Sequence, residues 1–580
     1  MRNNNTIRLL CFTLALIIAL CGLGACKQGG TASTPSDASN SSEVSSSEPD
    51  ASSEEPTAEE PQDAGDPADD GWYDGLEEVG ADEENDNPFL TTANLNIYNK
   101  TPVQNDFGGF GGVYHAFSYR SDNFGRQYTE EMAEFEIQRA INSGISSART
   151  FYEMNSAWDS KTKSWNWESD DMQALYKFCL GLKKGGVEVL INHWYHNQYL
   201  FTSYHWSDES ADGDSTPGRT HPGITVEGDQ AATLSNFADF MAETVRQLRA
   251  HGCTNATTIS IATEPGAWWS DKWGNSSEMP AYQEKCAKSQ AEAINTVSQR
   301  LKEDGIRNLV KIQGPNVAGD ENAGPYLKAF LKYVDSDACD LISAHKYYGN
   351  DLTADNYDLW KMGAEVYCEQ TTPQKFVWDE YNCSPAAAES IASRHSAYNG
   401  MQLALAQVCF LNYGLKSSYI WSLLDQQWPN NYTTSNDSFK DGVQMCGLAP
   451  TLLESSIVFP PYYSFSLVAN ALGDVGSKVY RGDDDTAEGV YAAMTENQQG
   501  EVSIMAVSTN IEDTQLTLHF EKSLNGATLY RHVYNPNKIT CTTGGELINP
   551  DLKITDTNTV LEDVIEPYCV VVYTTKKLWK

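Results

Sequence analysis

The chain is short of positive charge. Its 580 residues hold 40 Lys and Arg against 79 Asp and Glu, a formal net charge of −39. Nucleic acids and anionic polymers are held through clustered Lys and Arg. The deficit therefore excludes a nucleic-acid partner and argues against anionic polymers and anionic membrane surfaces. Cysteine is sparse as well. Thirteen Cys are too few for a disulfide scaffold, and none forms a Cys-x-x-Cys pair, which removes the usual zinc and redox motifs. No P-loop and no Gly-x-Ser-x-Gly nucleophile elbow occurs. The cluster Gly108, Gly109, Gly111 and Gly112 precedes a strand-like run instead of opening a helix, the wrong context for a phosphate cradle.

What is present falls into segments. Arg2 and Arg8 flank a polar start, and Leu9 to Gly24 is almost wholly apolar, a secretory h-region too short for a membrane span. It ends Leu23-Gly24-Ala25-Cys26, which resembles the lipobox of bacterial lipoproteins. That resemblance implies a signal peptide over residues 1–26 and lipidation at Cys26, with display at the cell surface and no membrane contact beyond the anchor. Residues 27–90 carry 19 acids against one base, Lys27, and are rich in Ser and Pro. Such a stretch buries too little apolar surface to fold, and its like charges extend it into a tether.

From Leu90 onward strand-like runs alternate with helix-like ones, the pattern of a parallel α/β fold. The strand-like runs are Gly112–Tyr119, Ile145–Tyr152, Val187–Asn192, Thr258–Glu264, Leu309–Gly314, Leu341–Tyr347, Phe376–Tyr381 and Tyr419–Leu424. Between and after them stand helix-like segments at Thr129–Asn142, Met172–Leu182, Ala231–Ala250, Ala281–Glu303, Tyr326–Val334, Asn356–Cys368, Ala386–Leu411 and Tyr463–Leu472. The first opens with Thr-Glu-Glu and sets Met132, Phe135 and Ala140 on one face. Eight of each over residues 91–472 predict a (β/α)8 TIM barrel. Residues 473–580 change texture, with short alternating runs at Gly489–Thr495, Val502–Ser508, Leu516–Glu521, Thr528–Tyr534 and Tyr568–Thr574 that predict a C-terminal antiparallel β-sandwich. Twelve of the 14 Trp lie between Trp158 and Trp428, so the sandwich lacks an aromatic sugar platform and reads as structural.

In a barrel of this kind chemistry sits at the C-terminal strand ends. The fourth strand ends Ile261-Ala262-Thr263-Glu264-Pro265 and the seventh Trp378-Asp379-Glu380-Tyr381-Asn382. Either glutamate alone is as readily a loop carboxylate or helix cap. Together, on opposed strands, they can face each other across a sugar ring, as a retaining glycosidase requires at about 5–5.5 Å. Here the chain resembles the clan A glycoside hydrolases, which carry Glu-Pro after strand four and Glu at strand seven. Ser343-Ala344-His345-Lys346-Tyr347 matches that clan's Ser-x-His-x-Tyr pattern, Arg149 its arginine and Trp421 its aromatic floor. Ile565-Glu566-Pro567-Tyr568-Cys569 is similar to the last sandwich strand of families 30, 39 and 51, among which family 39 is preferred.

The resemblance implies Glu264 as acid/base with its pKa raised, and Glu380 as nucleophile kept ionised by Arg149 or Tyr347. It makes Arg149, Asn192, His193, Thr263, His345, Tyr347, Asn382 and Trp421 substrate-binding candidates, with oligo- or polysaccharide as partner and neither cofactor nor metal. One departure stands out: the clan has Asn before the acid/base, and this chain has Thr263. Either another group such as Asn192 or Asn382 is expected to take over the bond to the sugar's 2-hydroxyl, or the substrate is altered at position 2. His193-Trp194-Tyr195-His196 lacks the intervening Glu of a zinc-protease motif and reads as loop packing or substrate contact. Trp268, Trp269 and Trp273 stand as subsite walls or as cover for the barrel rim. The expected activity is retaining hydrolysis of extracellular glycans, with an inactive glycan-binding surface protein and a transglycosylase as alternatives. If Cys26 carries the anchor, Cys26→Ser moves the protein from the membrane fraction into the medium, as cell fractionation and immunoblotting will show.

Overall fold

The computed structural model describes residues 76–578 apart from 82–89, 116–118, 120–128, 194–220, 227, 265–278, 319, 348–350, 384–392, 428–438, 441–442, 453–454 and 484–488. Eight parallel strands close into a barrel. They are β1 (Phe110–Val113), β2 (Ser147–Tyr152), β3 (Glu188–His193), β4 (Thr258–Ser260), β5 (Lys311–Val317), β6 (Leu341–Tyr347), β7 (Phe376–Asn382) and β8 (Ser417–Ile420). Each is followed by a helix: α1 (Glu130–Asn142), α2 (Asp170–Lys184), α3 (Gln230–Ala250), α4 (Met279–Glu303), α5 (Asp320–Tyr333), α6 (Tyr357–Cys368), α7 (Ala397–Asn412) and α8 (Pro460–Leu472). All eight strands and eight helices read from the sequence are present. The expected Ala386–Leu411 helix is interrupted, because Ser396 caps a fresh helix by accepting from the Tyr398 N–H, and its 386–392 portion lies outside the described residues.

Local rules set these elements. Thr129, Ser169 and Asp229 accept at 3.2, 3.2 and 2.9 Å from backbone N–H groups three residues on, giving α1, α2 and α3 defined starts. The expected face of α1 is corrected. Ala133, Ile137 and Ala140 turn inward, while Phe135 is 39% exposed beneath the Arg139 guanidinium. Glu136 and Arg139 are buried with that face because each finds backbone partners, Glu136 on Leu452 N–H and Arg139 on Pro450 C=O. Gly111 and Gly112 leave the middle of β1 without side chains, since a Cβ on either would overlap Tyr419 or Leu423 of the segment closing the barrel.

Inside the barrel the period-2 alternation of strands stacks side chains in layers. Leu190, Val377 and Tyr419, with Leu341, form an apolar floor. Two residues further along the same strands come Asn192, Asp379 and Ser343, then His345, alongside Arg149 from β2. Above them Val113, Phe151, Trp421 and Cys446 form an apolar lip against Tyr347. A polar layer thus lies between two apolar ones.

The second domain is a β-sandwich whose core holds Leu95, Ile97, Leu516, Leu518, Ile504, Val571 and Tyr573. Beyond the five strands expected, it contains Ser477–Arg481, Pro550–Thr557 and Val560–Ile565. It also draws on residues ahead of the barrel: Glu78–Gly80 and Gln104–Phe107 edge its eight-stranded sheet, and Thr91–Ile97 joins the three-stranded one. Thr91–Ile97 pairs in parallel with Thr514–Phe520, and Glu78–Gly80 in parallel with Pro550–Thr557, within otherwise antiparallel sheets. Parallel pairing needs a long crossover, and the whole barrel supplies it. These strands correct two expected boundaries: Glu78–Gly80 falls in the stretch read as tether, and Thr91–Ile97 and Gln104–Phe107 in the stretch read as barrel. Thr91–Ile97 does alternate, burying Ala93, Leu95 and Ile97, but its Ala and two Asn are poor strand formers.

The two domains share α7. Residues 399–412 of this helix are all buried, between the barrel strands and the sandwich. Tyr534 donates to Ala397 C=O at 2.6 Å, Gly482 N–H to the Asn412 side chain at 3.0 Å, and Tyr568 to Leu352 C=O at 2.8 Å. The Tyr534 ring lies directly on Gly400, where a Cβ would overlap it. Gly400→Val is expected to cost about 1–3 kcal/mol of stability by overpacking, read as a lower urea midpoint.

Candidate active site

Arg149 is fully buried and ties four strands together. Its Nη1 donates to Glu380 Oε2 at 2.7 Å, and its Nη2 to Thr263 Oγ1 at 3.2 Å and Asn192 Oδ1 at 3.3 Å. Its Nε lies 3.9 Å from Asp379 Oδ2, and the guanidinium sits over the Phe151 ring. A buried guanidinium is tolerated only with partners of this number and charge.

Glu264 and Glu380 come together here. Glu264 stands four residues past the short β4 ladder with φ +45°, and its N–H donates to Asn316 C=O at 3.0 Å. A non-glycine residue in that region costs about 1–3 kcal/mol, offset by the surrounding bonds. Asn316 is left-handed too, at φ +58°. Its amide donates to Asn192 Oδ1 at 2.7 Å, and its Oδ1 accepts from Ser343 and Ser260. On β7 the register with β6 slips between Ala344↔Trp378 and His345↔Glu380, leaving Asp379 as an extra residue. Trp378 and Tyr381 both pack outward on Phe410, so Asp379 and Glu380 both point inward.

His345 stands among three carboxyl groups. Its Nδ1 is 2.9 Å from Glu264 Oε1 and 3.3 Å from Glu380 Oε2, and its Nε2 is 3.5 Å from Asp379 Oδ1. Tyr347 donates to Glu380 Oε1. Oxygen and nitrogen atoms of Glu264, His345 and Glu380 all lie within 4.8 Å of one another, a span a metal ion could bridge. The Arg149 guanidinium already supplies the positive charge there.

Burial pushes Glu380 above the usual carboxylate range, against the pull of His345, Arg149 and the Tyr347 hydroxyl. Burial also acts on Glu264, but the hydrogen bond and charge of His345 outweigh it and hold Glu264 below that range. Both directions reverse the sequence expectation, because His345 bonds Glu264 and Glu380 is the more enclosed, its side chain 7% exposed against 24%. Burial lowers His345, yet Glu380, Asp379 and Glu264 together carry it above its ordinary value.

Of the other candidates, Arg149, Asn192, Thr263, His345 and Tyr347 meet around the two glutamates. Trp421 sits in the lip, edge-on to Phe151. Two residues do not join them. His193 turns out of the barrel against Tyr152, Phe237 and Phe240, where burial lowers it to about 3. The Asn382 amide donates to Trp421 C=O, and its oxygen accepts from Cys383 N–H and Asn399, so it fastens β7 to β8. Asn192 is also fully engaged, donating to His193 C=O and Thr263 Oγ1. Neither Asn is therefore free to replace the amide absent at Thr263. Cys26, His196, Trp268, Trp269 and Trp273 lie outside the described residues.

Sequence reasoning missed Asn316 and Gln313 and gave no role to Asp379 and Ser343, although both stand in the strand-end motifs. Asp379 carried a signal: two successive acids in an apolar strand demand a bulge if both are to face the same side.

No family model and no curated protein matches this chain. Solved structures do. The catalytic domain of a family 30 xylanase from Talaromyces cellulolyticus aligns with a TM-score of 0.54 at 12% identity, over 84% of this chain and 100% of that one. A family 30 endoxylanase from Clostridium papyrosolvens aligns at 0.52 and 14%, over 83% and 99%. A glucosidase from Croceicoccus marinus aligns at 0.52 and 11%, over 83% and 98%. At such identities the likeness is one of fold.

Because Asn192 serves Arg149, Asn316 and Thr263 at once, Asn192→Ala should strand buried donors and cost about 1–3 kcal/mol of stability. Chemical denaturation of that variant beside Thr263→Ala, expected to cost less, checks this.

Proposed function

We propose that this protein is a retaining glycoside hydrolase acting on oligo- or polysaccharides outside a bacterial cell, tethered to a lipid on Cys26 by the acidic stretch that starts at residue 27 and ends ahead of the Glu78–Gly80 strand. The observation that carries the reading is the pairing of Glu264 and Glu380 from opposed strand ends, with polar atoms within 4.8 Å. Carboxyl oxygens this close favour the short separation of a double displacement, roughly 5–5.5 Å between carboxyl groups, over the wider one of an inverting pair. The fold shared with xylanases and a glucosidase supports the substrate class.

In this reading Glu380 attacks the anomeric carbon, oriented by Arg149 and Tyr347, whose bonds fix its two oxygens separately. Glu264, the more open of the two, protonates the leaving oxygen and then activates water for the second step. Trp421 and Phe151 offer an apolar wall to one ring face.

A panel of aryl glycosides and polysaccharides tests the activity. Glu380→Gln should remove nearly all turnover with the fold intact. Glu264→Gln should spare substrates with good leaving groups, which need little protonation. Early product followed by NMR should keep its anomeric configuration; inversion would rule out the double displacement. Sugar binding without turnover across the panel would point instead to a glycan-capture protein.

A further inference from the structure

The resting arrangement leaves a mismatch. Glu380 is the more enclosed carboxyl group, its side chain 7% exposed against 24% for Glu264, and enclosure favours the protonated form, whereas the acid role assigned above needs the proton on Glu264. Two carboxyl groups this close hold one proton between them, and something must deliver it to the correct side. His345 stands where it can. Its Nδ1 faces both glutamates, at 2.9 and 3.3 Å. Its Nε2 lies between a donor and an acceptor, Arg149 Nη2 at 3.4 Å and Asp379 Oδ1 at 3.5 Å. With a neutral ring Nε2 accepts from Arg149; with a charged ring Nε2–H points at Asp379.

Asp379 is built for the second state. It is fully buried, and Gln313 holds its Oδ2 at 3.0 Å while Oδ1 has no hydrogen-bond partner among the described residues. An unpartnered carboxylate oxygen in a closed interior is costly unless a proton donor comes to it, and the His345 ring nitrogen is the donor in reach. The bulge places it there: with a regular register on β7, Asp379 and Glu380 would face opposite sides.

We propose that Asp379 is a positioning residue that holds His345 as an imidazolium, and that His345 relays the shared proton from Glu380 to Glu264. The proposal rests on the reading of those two glutamates as the catalytic pair. In the relay the imidazolium gives its Nδ1 proton to Glu264 Oε1. The Nδ1 lone pair so freed takes the proton from Glu380 Oε2. Glu264 gains one proton, Glu380 becomes the carboxylate nucleophile, and the imidazolium is restored, so no water need enter. The charged and titratable groups around His345 are Arg149 from β2, Glu264 beyond β4, Asp379 and Glu380 from β7, and Tyr347 on its own strand.

The test is an NMR titration of the whole protein with 15N-labelled histidine, the His345 signals identified by their loss in His345→Asn. The imidazolium signature should persist to higher pH than in free histidine. In Asp379→Asn the midpoint should fall by about one pH unit or more, because a carboxylate oxygen 3.5 Å away stabilises the cation. On the best substrate kcat should drop about tenfold or more with KM nearly unchanged, since Asp379 is fully buried and offers substrate no contact. Asp379→Ser removes the same charge with a smaller side chain, should the amide not fit. A His345 that is neutral throughout pH 5–8 in the unaltered protein overturns the proposal, and so does a midpoint unmoved in either variant. If no glycan is turned over at all, the glycosidase reading falls, while the titration still decides whether Asp379 holds a charged His345.

Discussion

A fully buried guanidinium is the constraint on which the interior of this protein turns. Arg149 cannot reach water, and an unpaired charge at that depth would cost more than a domain's whole margin of stability. Its partners come from the ends of β3, β4 and β7: Asn192, Thr263, Asp379 and Glu380. Further residues hold these partners in turn, apart from one oxygen of Asp379. Asn316 clasps Asn192, Ser343 and Ser260 clasp Asn316, Gln313 holds Asp379, and Tyr347 closes on Glu380. The polar layer therefore behaves as one network, in which no member can be removed without stranding another.

Such a network is a poor way to stabilise a barrel. Two cation-capable groups and three carboxyl groups could be replaced by well-packed apolar side chains with little loss or a gain in stability. What an apolar layer could not do is hold carboxyl groups at fixed separation with a proton among them. The left-handed Glu264 and Asn316 and the bulge on β7 are further local costs gathered at the same depth. The apolar floor of Leu190, Val377 and Tyr419 below and the sandwich behind α7 are regular by comparison, and they carry the stability that the polar layer does not.

The sandwich is bound to the barrel by chain path as well as by packing. Strands on both sides of the barrel in sequence meet in its sheets, so its edge strand Gln104–Phe107 leads almost directly into β1. The first barrel strand is thereby anchored in both domains, and α7, buried on all sides, fills the space between them.

The sequence by itself determined the barrel. Eight apolar runs separated by eight amphipathic ones leave few other ways to cover both faces of a parallel sheet, and each run lies within a few residues of the strand observed. It also marked Glu264 and Glu380, because ionisable residues ending apolar strands need a cleft or a partner, whereas Arg149, His345 and Tyr347 were marked only by resemblance to the clan A glycoside hydrolases. Tertiary structure alone decided the rest. That Asn382 faces β8 and His193 faces α3 depends on which side of a strand each occupies, and one bulge or early strand end reverses that. That Glu264 is drawn down and Glu380 pushed up depends on which carboxyl group the His345 ring reaches, a matter of tenths of an ångström between residues far apart in the chain. That Thr91–Ile97 belongs to the sandwich depends on a partner strand more than four hundred residues away. Periodicity along a chain reports burial and direction; contact distances between strands are set only when the barrel closes.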